Sequence, residues 1–152
     1  MGVDPGSRAT GYGVVRAVGT GFQHIDHGVI RLAQGELPQR LLEIHEQLSD
    51  VITQHSPAAA AVEDLFQFKN ARSALVLGHA RGAAILAAAS RGVQVFSYTP
   101  SEMKQSVTGS GRAEKRQVGE MVRILLSLDE VPAEDAADAL GMAICHAMRG
   151  PR

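Results

Sequence analysis

The chain has 152 residues, with 16 acidic and 15 basic side chains and a formal net charge of −1. This length suits one domain over residues 1–152. The charge excludes a strong overall attraction to nucleic acid, so any basic surface must be local. The single cysteine, Cys145, excludes an internal disulfide. No apolar run approaches membrane-spanning length. We therefore expect a cytoplasmic protein without a membrane partner.

The chain opens with a pattern typical of a strand, a tight turn and a second strand. Asp4 follows the apolar Val3 and precedes Pro5-Gly6, which suit a chain reversal because proline fixes φ and glycine supplies freedom. Gly11 and Gly13 leave the return strand without side chains at this end, as expected where another group approaches the backbone closely. A carboxylate in this position suits a metal ion, or a phosphate held through a metal. An aspartate that caps its own turn is the alternative.

The rest of the chain divides into strands and helices. Alternation predicts strands over 10–18 and 22–31 around a turn at 19–21, and a short apolar run predicts a buried strand over 58–62. A further strand is expected over 93–98. Helices are expected over 37–55, 71–90, 113–128 and 133–148, with a short one opened by a capping box between Thr99 and Glu102. This order predicts an α/β fold. Its mixed five-stranded sheet has three antiparallel hairpin-linked strands, then parallel strands, with helices on both faces.

Histidines and glycines give two smaller predictions. His24 and His27 are three apart on one strand, so we expect them on opposite faces, and we expect His55 to be solvated. Gly78 and Gly82 lie one turn apart inside the helix over 71–90, where each glycine costs about 1 kcal/mol relative to alanine. Close packing against the sheet or against a second subunit would compensate for this cost.

Four carboxylates occupy related places in the predicted fold. Asp4 and Glu63 each follow an apolar strand, while Asp135 and Asp138 are three apart on the last helix and point the same way. Ligands of open α/β sheets gather at the carboxyl ends of strands. Four converging carboxylates would repel one another, and hard divalent cations relieve that repulsion. Two such ions about 3.5–4 Å apart would activate water and stabilise the leaving 3′ oxygen of a phosphodiester. For Asp135, a favourable contact with the helix dipole is the alternative.

Six short motifs occur together, in order, over nearly the whole chain. They are GVDPGSRATGYG (2–13), AVEDLF (61–66), KNARSAL (69–75), GHARG (78–82), AEK (113–115) and DAADAL (135–140). In residues and spacing the chain closely resembles the RuvC-type Holliday junction resolvases. The resemblance implies an RNase H-like fold and a homodimer formed through the helix over 71–90. It also implies paired nicking of four-way DNA junctions in recombination and repair, with two Mg²⁺ or Mn²⁺ ions per active site and RuvA and RuvB as partners.

The resemblance also assigns individual residues. The family's four catalytic, metal-binding acids fall on Asp4, Glu63, Asp135 and Asp138. The aromatic residue that enters the junction centre matches Phe66, for which a capping position over the core is the alternative. The two family lysines that meet the DNA backbone match Lys104 and Lys115, and Arg112 in the glycine loop is a neighbouring candidate. Lys69 and Arg72 complete the set of DNA-binding candidates. Only three residues precede Asp4, fewer than the family usually has, so we expect a less stable first strand.

Two other functions remain open. A junction-binding module without catalysis would share the DNA-binding residues, but it would have no use for four acids beside DNA. A phosphotransferase of the actin and sugar-kinase type shares the aspartate and glycine hairpin, but it needs a second domain that this length does not provide. The segment over 109–115 also lacks the spacing of a P-loop.

Overall fold

The computed structural model describes residues 1–64 and 71–150, and Phe66 and Lys69 lie outside them. Over the described residues the chain forms five strands and five helices. In chain order these are β1 (Gly2–Asp4), β2 (Ala9–Val18), β3 (Gly21–Arg31), α1 (Leu37–His55), β4 (Ala59–Glu63), α2 (Ala71–Ala89), β5 (Gln94–Tyr98), α3 (Pro100–Thr108), α4 (Lys115–Leu125) and α5 (Glu134–Arg149). None of these helices has the length and apolar character needed to cross a membrane.

The strands form one mixed sheet in the order β3-β2-β1-β4-β5. The β1–β2 and β2–β3 pairs are antiparallel, whereas β4 runs parallel to both β1 and β5. This confirms the predicted α/β fold and its strand directions. In the register of β1 with β4, Val3 lies beside Val62. Asp4 and Glu63 follow these two residues, so they end neighbouring parallel strands at the same edge of the sheet.

The sheet has a hydrophobic core on each face, as alternation along its strands requires. Val62 packs with Ile44 and Leu48 of α1 on one face. Ala61, the preceding residue of β4, packs with Leu140 and Ile144 of α5 on the other. Helices α1 and α2 therefore cover one face and α3, α4 and α5 cover the other, which confirms the predicted layers.

Helix α5 lies directly on the backbone of the first two strands. A Cβ atom at Gly11 would overlap the main-chain oxygen of Asp135, and one at Gly13 would come within 2.7 Å of the Leu140 side chain. The close approach predicted from these glycines is confirmed, and the approaching group is a helix. The start of α5, with its carboxylates, is thereby held against the end of β1.

Two predicted helix starts have different outcomes. The capping box of α3 is confirmed, because Thr99 Oγ1 accepts a hydrogen bond from Glu102 N at 3.2 Å and Glu102 Oε2 accepts one from Thr99 N at 2.8 Å. The helix predicted over 113–128 forms only over Lys115–Leu125. Its start is fixed by Glu114, whose N–H donates to Gln117 Oε1 at 2.8 Å.

The predicted separation of His24 and His27 is wrong. Val14 pairs with Asp26 while the next residue of β2 pairs with His24, so Ile25 is an extra residue that forms a bulge. The bulge breaks the alternation, and His24 Nε2 lies 2.7 Å from His27 Nδ1.

The prediction for His55 is also wrong. Its side chain is only 13 % exposed, and its Nε2 lies 2.8 Å from Asp26 Oδ2. The contact joins the end of α1 to β3, a tertiary pairing that strand alternation and helix periodicity do not show.

The glycines of α2 face away from the sheet. The buried side of this helix carries Ala80, Ala84, Ala87 and Ala88. A Cβ added at Gly78 or Gly82 would meet no atom within 4 Å among the described residues. Close packing on the sheet therefore does not explain these glycines.

Candidate active site

The structure brings the four predicted acids to one edge of the sheet. Asp4 and Glu63 end the adjacent parallel strands β1 and β4. Asp135 and Asp138 occupy the first turns of α5, which the contact at Gly11 holds over β2 next to Asp4. All three of the other acids act electrostatically on Asp4. This arrangement is the one expected from the sequence.

Asp4 is the most perturbed member of the cluster. Burial raises the pKa of its carboxyl group from 3.8 to about 8, and the charges of Glu63, Asp138 and Asp135 add to the effect. A hydrogen bond with Glu63 acts in the same direction on Asp4 and in the opposite direction on Glu63. At neutral pH Asp4 is therefore protonated and donates to the Glu63 carboxylate.

At Glu63 and Asp138, burial and the neighbouring lysines shift the carboxyl pKa in opposite directions. Burial raises the pKa of each, and the negative charge of Asp138 adds to the rise at Glu63. Lys104 and Lys115 lower both pKa values in part, so both ammonium groups lie within electrostatic range of the acids. The edge therefore combines a self-repelling set of carboxylates with two cations.

The donor set suits a hard divalent cation. Four carboxylates supply only oxygen atoms, and the raised pKa values of Asp4, Glu63 and Asp138 show that burial and repulsion there outweigh the nearby positive charge. Within residues 1–64 and 71–150, no three His, Cys, Asp or Glu side chains lie in ligating positions around one point. The hydrogen bond between Asp4 and Glu63 engages oxygens that would otherwise face an ion. Proton loss must therefore accompany metal binding here.

The predicted DNA-binding residues lie at different distances from this edge. Lys115 at the start of α4 forms an ion pair with Glu134, and its Nζ lies 4.0 Å from Asp138 Oδ2. Lys104 on α3 is half-buried near the same acids. Arg112 is exposed and lines a separate cavity with Arg116. Arg72 is exposed in the first turn of α2.

Arg81 belongs to the GHARG motif but is not among the site residues predicted from the sequence. From α2, its Nε donates to the main-chain oxygen of Glu63 at 2.9 Å, and its Nη2 donates to Ser97 Oγ at 2.6 Å. A further contact of 3.4 Å joins Nη2 to Asp64 Oδ1. Arg81 therefore fixes the end of β4 where Glu63 leaves the sheet. This role depends on α2 lying over β4, a tertiary contact that the local sequence does not show.

Comparisons with known proteins show the family of this chain. A sequence model of the family described as "Crossover junction endodeoxyribonuclease RuvC" matches residues 1–146. A protein of that name from Alkalilimnicola ehrlichii is 53 % identical over 146 residues, covering 96 % of this chain and 88 % of the relative. Another from Citrifermentans bemidjiense is 52 % identical over 148 residues, covering 97 % and 90 %.

A solved structure agrees with the fold. It is described as T. thermophilus RuvC in complex with Holliday junction substrate, and it superposes with a TM-score of 0.90. The two sequences are 36 % identical, and the match covers 96 % of this chain and 90 % of that one. The family model, the sequence relatives and the solved structure thus agree, and the chain belongs to the RuvC family of crossover junction endodeoxyribonucleases.

Proposed function

We propose that this protein nicks four-way DNA junctions by metal-dependent hydrolysis at Asp4, Glu63, Asp135 and Asp138. The observation that carries the proposal is the convergence of these acids at one sheet edge. Membership in the family supplies the reaction class and supports the junction as substrate. The products would be paired symmetric nicks, as recombination and repair require.

The four acids would hold Mg²⁺ or Mn²⁺, with two ions per active site. Two bound ions supply an activated water and stabilise the leaving 3′ oxygen. Asp4 and Glu63 provide rigid ligands, because each ends a strand with paired neighbours. Asp135 and Asp138 provide the opposite side from α5, and Arg81 holds the backbone of Glu63 in place.

The basic residues around the acids would position the DNA backbone. Lys104 and Lys115 lie near the acids, so they suit phosphates next to the scissile bond. Arg72 and Arg112 are exposed and suit further contacts with the DNA backbone. Phe66 remains the proposed wedge at the junction centre, where stacking on a base is worth about 1–3 kcal/mol, and Lys69 remains a proposed backbone contact.

The two rival functions fit less well. In a junction-binding module without catalysis, the four acids would repel the DNA phosphates and would not strengthen binding. A phosphotransferase of the actin and sugar-kinase type does not fit a chain whose family model covers residues 1–146. RuvA and RuvB are the proposed protein partners, and the cytoplasm is the proposed location.

We propose that α2 forms a homodimer interface. Leu75 and Leu86 are 62 % and 58 % exposed, and together with Gly82 they lie along one side of the helix. The open space around Gly78 and Gly82 would let a second helix approach closely. Two copies of the active site related by twofold symmetry would then cut two strands symmetrically.

The Leu86→Asp substitution is expected to weaken this dimer at least about 30-fold in Kd, because it buries a charge in an apolar contact worth about 2 kcal/mol. The mass measured by light scattering should fall from twice 16.1 kDa to 16.1 kDa. Val18→Asp is the matched control, since Val18 is 55 % exposed at the far hairpin. A dimeric Leu86→Asp protein, or a monomeric parent at all concentrations, would contradict the interface.

The proposed activity is tested with a synthetic four-way junction and a linear duplex of the same sequences, each in Mg²⁺ and in Mn²⁺. We expect symmetric nicks on the junction and none on the duplex. Nicks mapped on both strands of one junction would show that cleavage is paired. Tight junction binding without nicks in either ion would support the module without catalysis, and equal cutting of the duplex would contradict junction selectivity.

A further inference from the structure

The sheet edge that carries the acids continues into a second positively charged cavity. It has a volume of about 560 Å³ and is lined by Ser7, Arg8, Arg40 and the loop over 32–35. Arg8 leads into β2, and its main-chain oxygen accepts from Leu32 N at 3.1 Å beyond the end of β3. No carboxylate lines the cavity within the described part of the chain.

The two arginines of the cavity are not neutralised. Arg8 is exposed and takes part in no ion pair among residues 1–64 and 71–150. Arg40 donates from Nη1 to Ser7 O at 3.0 Å, while its buried Nε has no hydrogen-bond partner among those residues. The Arg40 guanidinium has a hydrogen-bond donor without a partner and shares the cavity with the positive charge of Arg8. The pair therefore suits an anion with several oxygen atoms.

The carboxylates nearest in sequence, Glu36 and Glu43, form no ion pair with Arg8 or Arg40 among the described residues. Glu43 uses Oε2 to accept from Ala33 N at 3.1 Å and Oε1 to accept from Gln47 Nε2 at 3.2 Å. Glu36 precedes α1, and its side chain does not line the cavity. The first turn of α1 contains no acidic residue, so the positive end of the helix adds to the charge of Arg40.

The position of the cavity relates it to the cleavage site. Asp4 pairs with Gly11, which pairs with Val29, so the end of β3 lies two strands away from Asp4, a distance of about 10 Å. A separation of this order reaches a phosphate within a few nucleotides on the same DNA strand. Lys104 and Lys115 lie on the other helical layer. The acids are therefore flanked by cations on both faces of the sheet.

We propose that Arg8 and Arg40 bind a backbone phosphate of the junction within a few nucleotides of the scissile bond. The DNA strand would cross the sheet edge from the lysines of α3 and α4, over the acids, to this cavity. Arg40 would also position the catalytic edge, since it holds the turn that follows Asp4 through the Ser7 carbonyl. This inference rests on the proposed junction-cutting function.

The test compares Arg8→Gln with Arg16→Gln, an exposed arginine near the opposite end of β2 that lacks an ion pair among the described residues. Junction binding is measured in EDTA over a range of salt concentrations. Loss of one phosphate contact should reduce the slope of log K against log salt by about 0.9 and weaken binding about eightfold at 0.1 M salt. Arg16→Gln should match the parent protein in both quantities.

A second variant, Arg40→Lys, keeps the positive charge but removes the planar guanidinium, which can donate two parallel hydrogen bonds to one phosphate. It should bind the junction more weakly than the parent protein does. Its slope of log K against log salt should lie closer to the parental slope than the slope of Arg8→Gln does. If the parent protein binds and nicks junctions while Arg8→Gln and Arg16→Gln give the same slope and affinity, the phosphate site is refuted and the proposed function stands. If the parent protein neither binds nor nicks junctions, the proposed function fails and this inference fails with it.

Discussion

Replacing Asp4 with asparagine is expected to abolish junction nicking while it makes the folded protein more stable at neutral pH. Metal ligation is worth several kcal/mol of transition-state stabilisation, so we expect a loss of at least about a hundredfold in the nicking rate. The gain in stability has a separate cause. The native carboxyl group is buried beside three other acids and must therefore hold a proton that the unfolded chain would release at neutral pH, and asparagine, which does not ionise, removes the cost of taking up that proton.

The pH dependence of this effect follows from the direction of the pKa shift. The folded protein holds the Asp4 proton up to a pKa of about 8, whereas the unfolded chain releases it near 3.8. The folded state therefore binds more protons between these values, and the stability that Asp4 contributes falls as the pH rises through that range. The advantage of Asp4→Asn should grow from pH 4 to pH 8 and reach about 1–2 kcal/mol, or roughly 2–8 °C in Tm.

Thermal unfolding in EDTA at several pH values, together with nicking in Mg²⁺, measures both effects. Asp50→Asn is a suitable control, because Asp50 is exposed on α1 and takes part in no ion pair among the described residues. Its Tm and nicking rate should stay close to those of the parent protein. An Asp4→Asn protein that nicks at the parental rate, or that is less stable than the parent at pH 8, would contradict the arrangement of acids described above.

Gly11→Ala is expected to be the most damaging of the conservative substitutions. The new Cβ would overlap the main-chain oxygen of Asp135 and approach Ala136 N, and a backbone cannot move aside as a flexible side chain can. Helix α5 would have to shift, at a cost of about 3 kcal/mol or a drop of roughly 6–12 °C in Tm. Because α5 carries Asp135 and Asp138, a shift of about 1 Å would also reduce nicking about a hundredfold.

Gly21→Ala is the matched control in the same pair of strands. Its Cβ would meet only Val18 O, at the ordinary contact distance of 3.8 Å. We expect its Tm and nicking rate to match those of the parent protein, since alanine also lowers the entropy of the unfolded chain. If Gly11→Ala unfolds at the parental temperature and nicks at the parental rate, α5 does not depend on contact with bare strand backbone.

The sequence predicted the fold and the acids because both are recorded in local patterns. Strand alternation, helix periodicity and the capping box at Thr99 gave the elements, and their order fixed the layers. The carboxylates could be recognised since each follows a strand or opens a helix at an edge that parallel strands share. The register of β1 with β4 then places Asp4 and Glu63 side by side at the ends of the two strands.

The features that the sequence did not predict all depend on contacts between distant segments. The bulge at Ile25 arises from the register of β2 with β3, so strand alternation alone placed His24 and His27 wrongly. Arg81 and Arg40 donate to main-chain oxygens 18 and 33 residues away, and nothing in their local sequence marks those partners. The roles of Phe66 and Lys69 stay predictions.

The most direct test of the central claim is the number of Mn²⁺ ions bound by the protein–junction complex, counted by electron paramagnetic resonance. The account predicts two ions per active site in the parent protein, with magnetic coupling that shows they are close. It predicts fewer than two in Asp4→Asn and an unchanged count in Asp50→Asn. Two coupled ions that persist in Asp4→Asn, or a parent complex without bound Mn²⁺, would contradict a metal centre built on the four carboxylates.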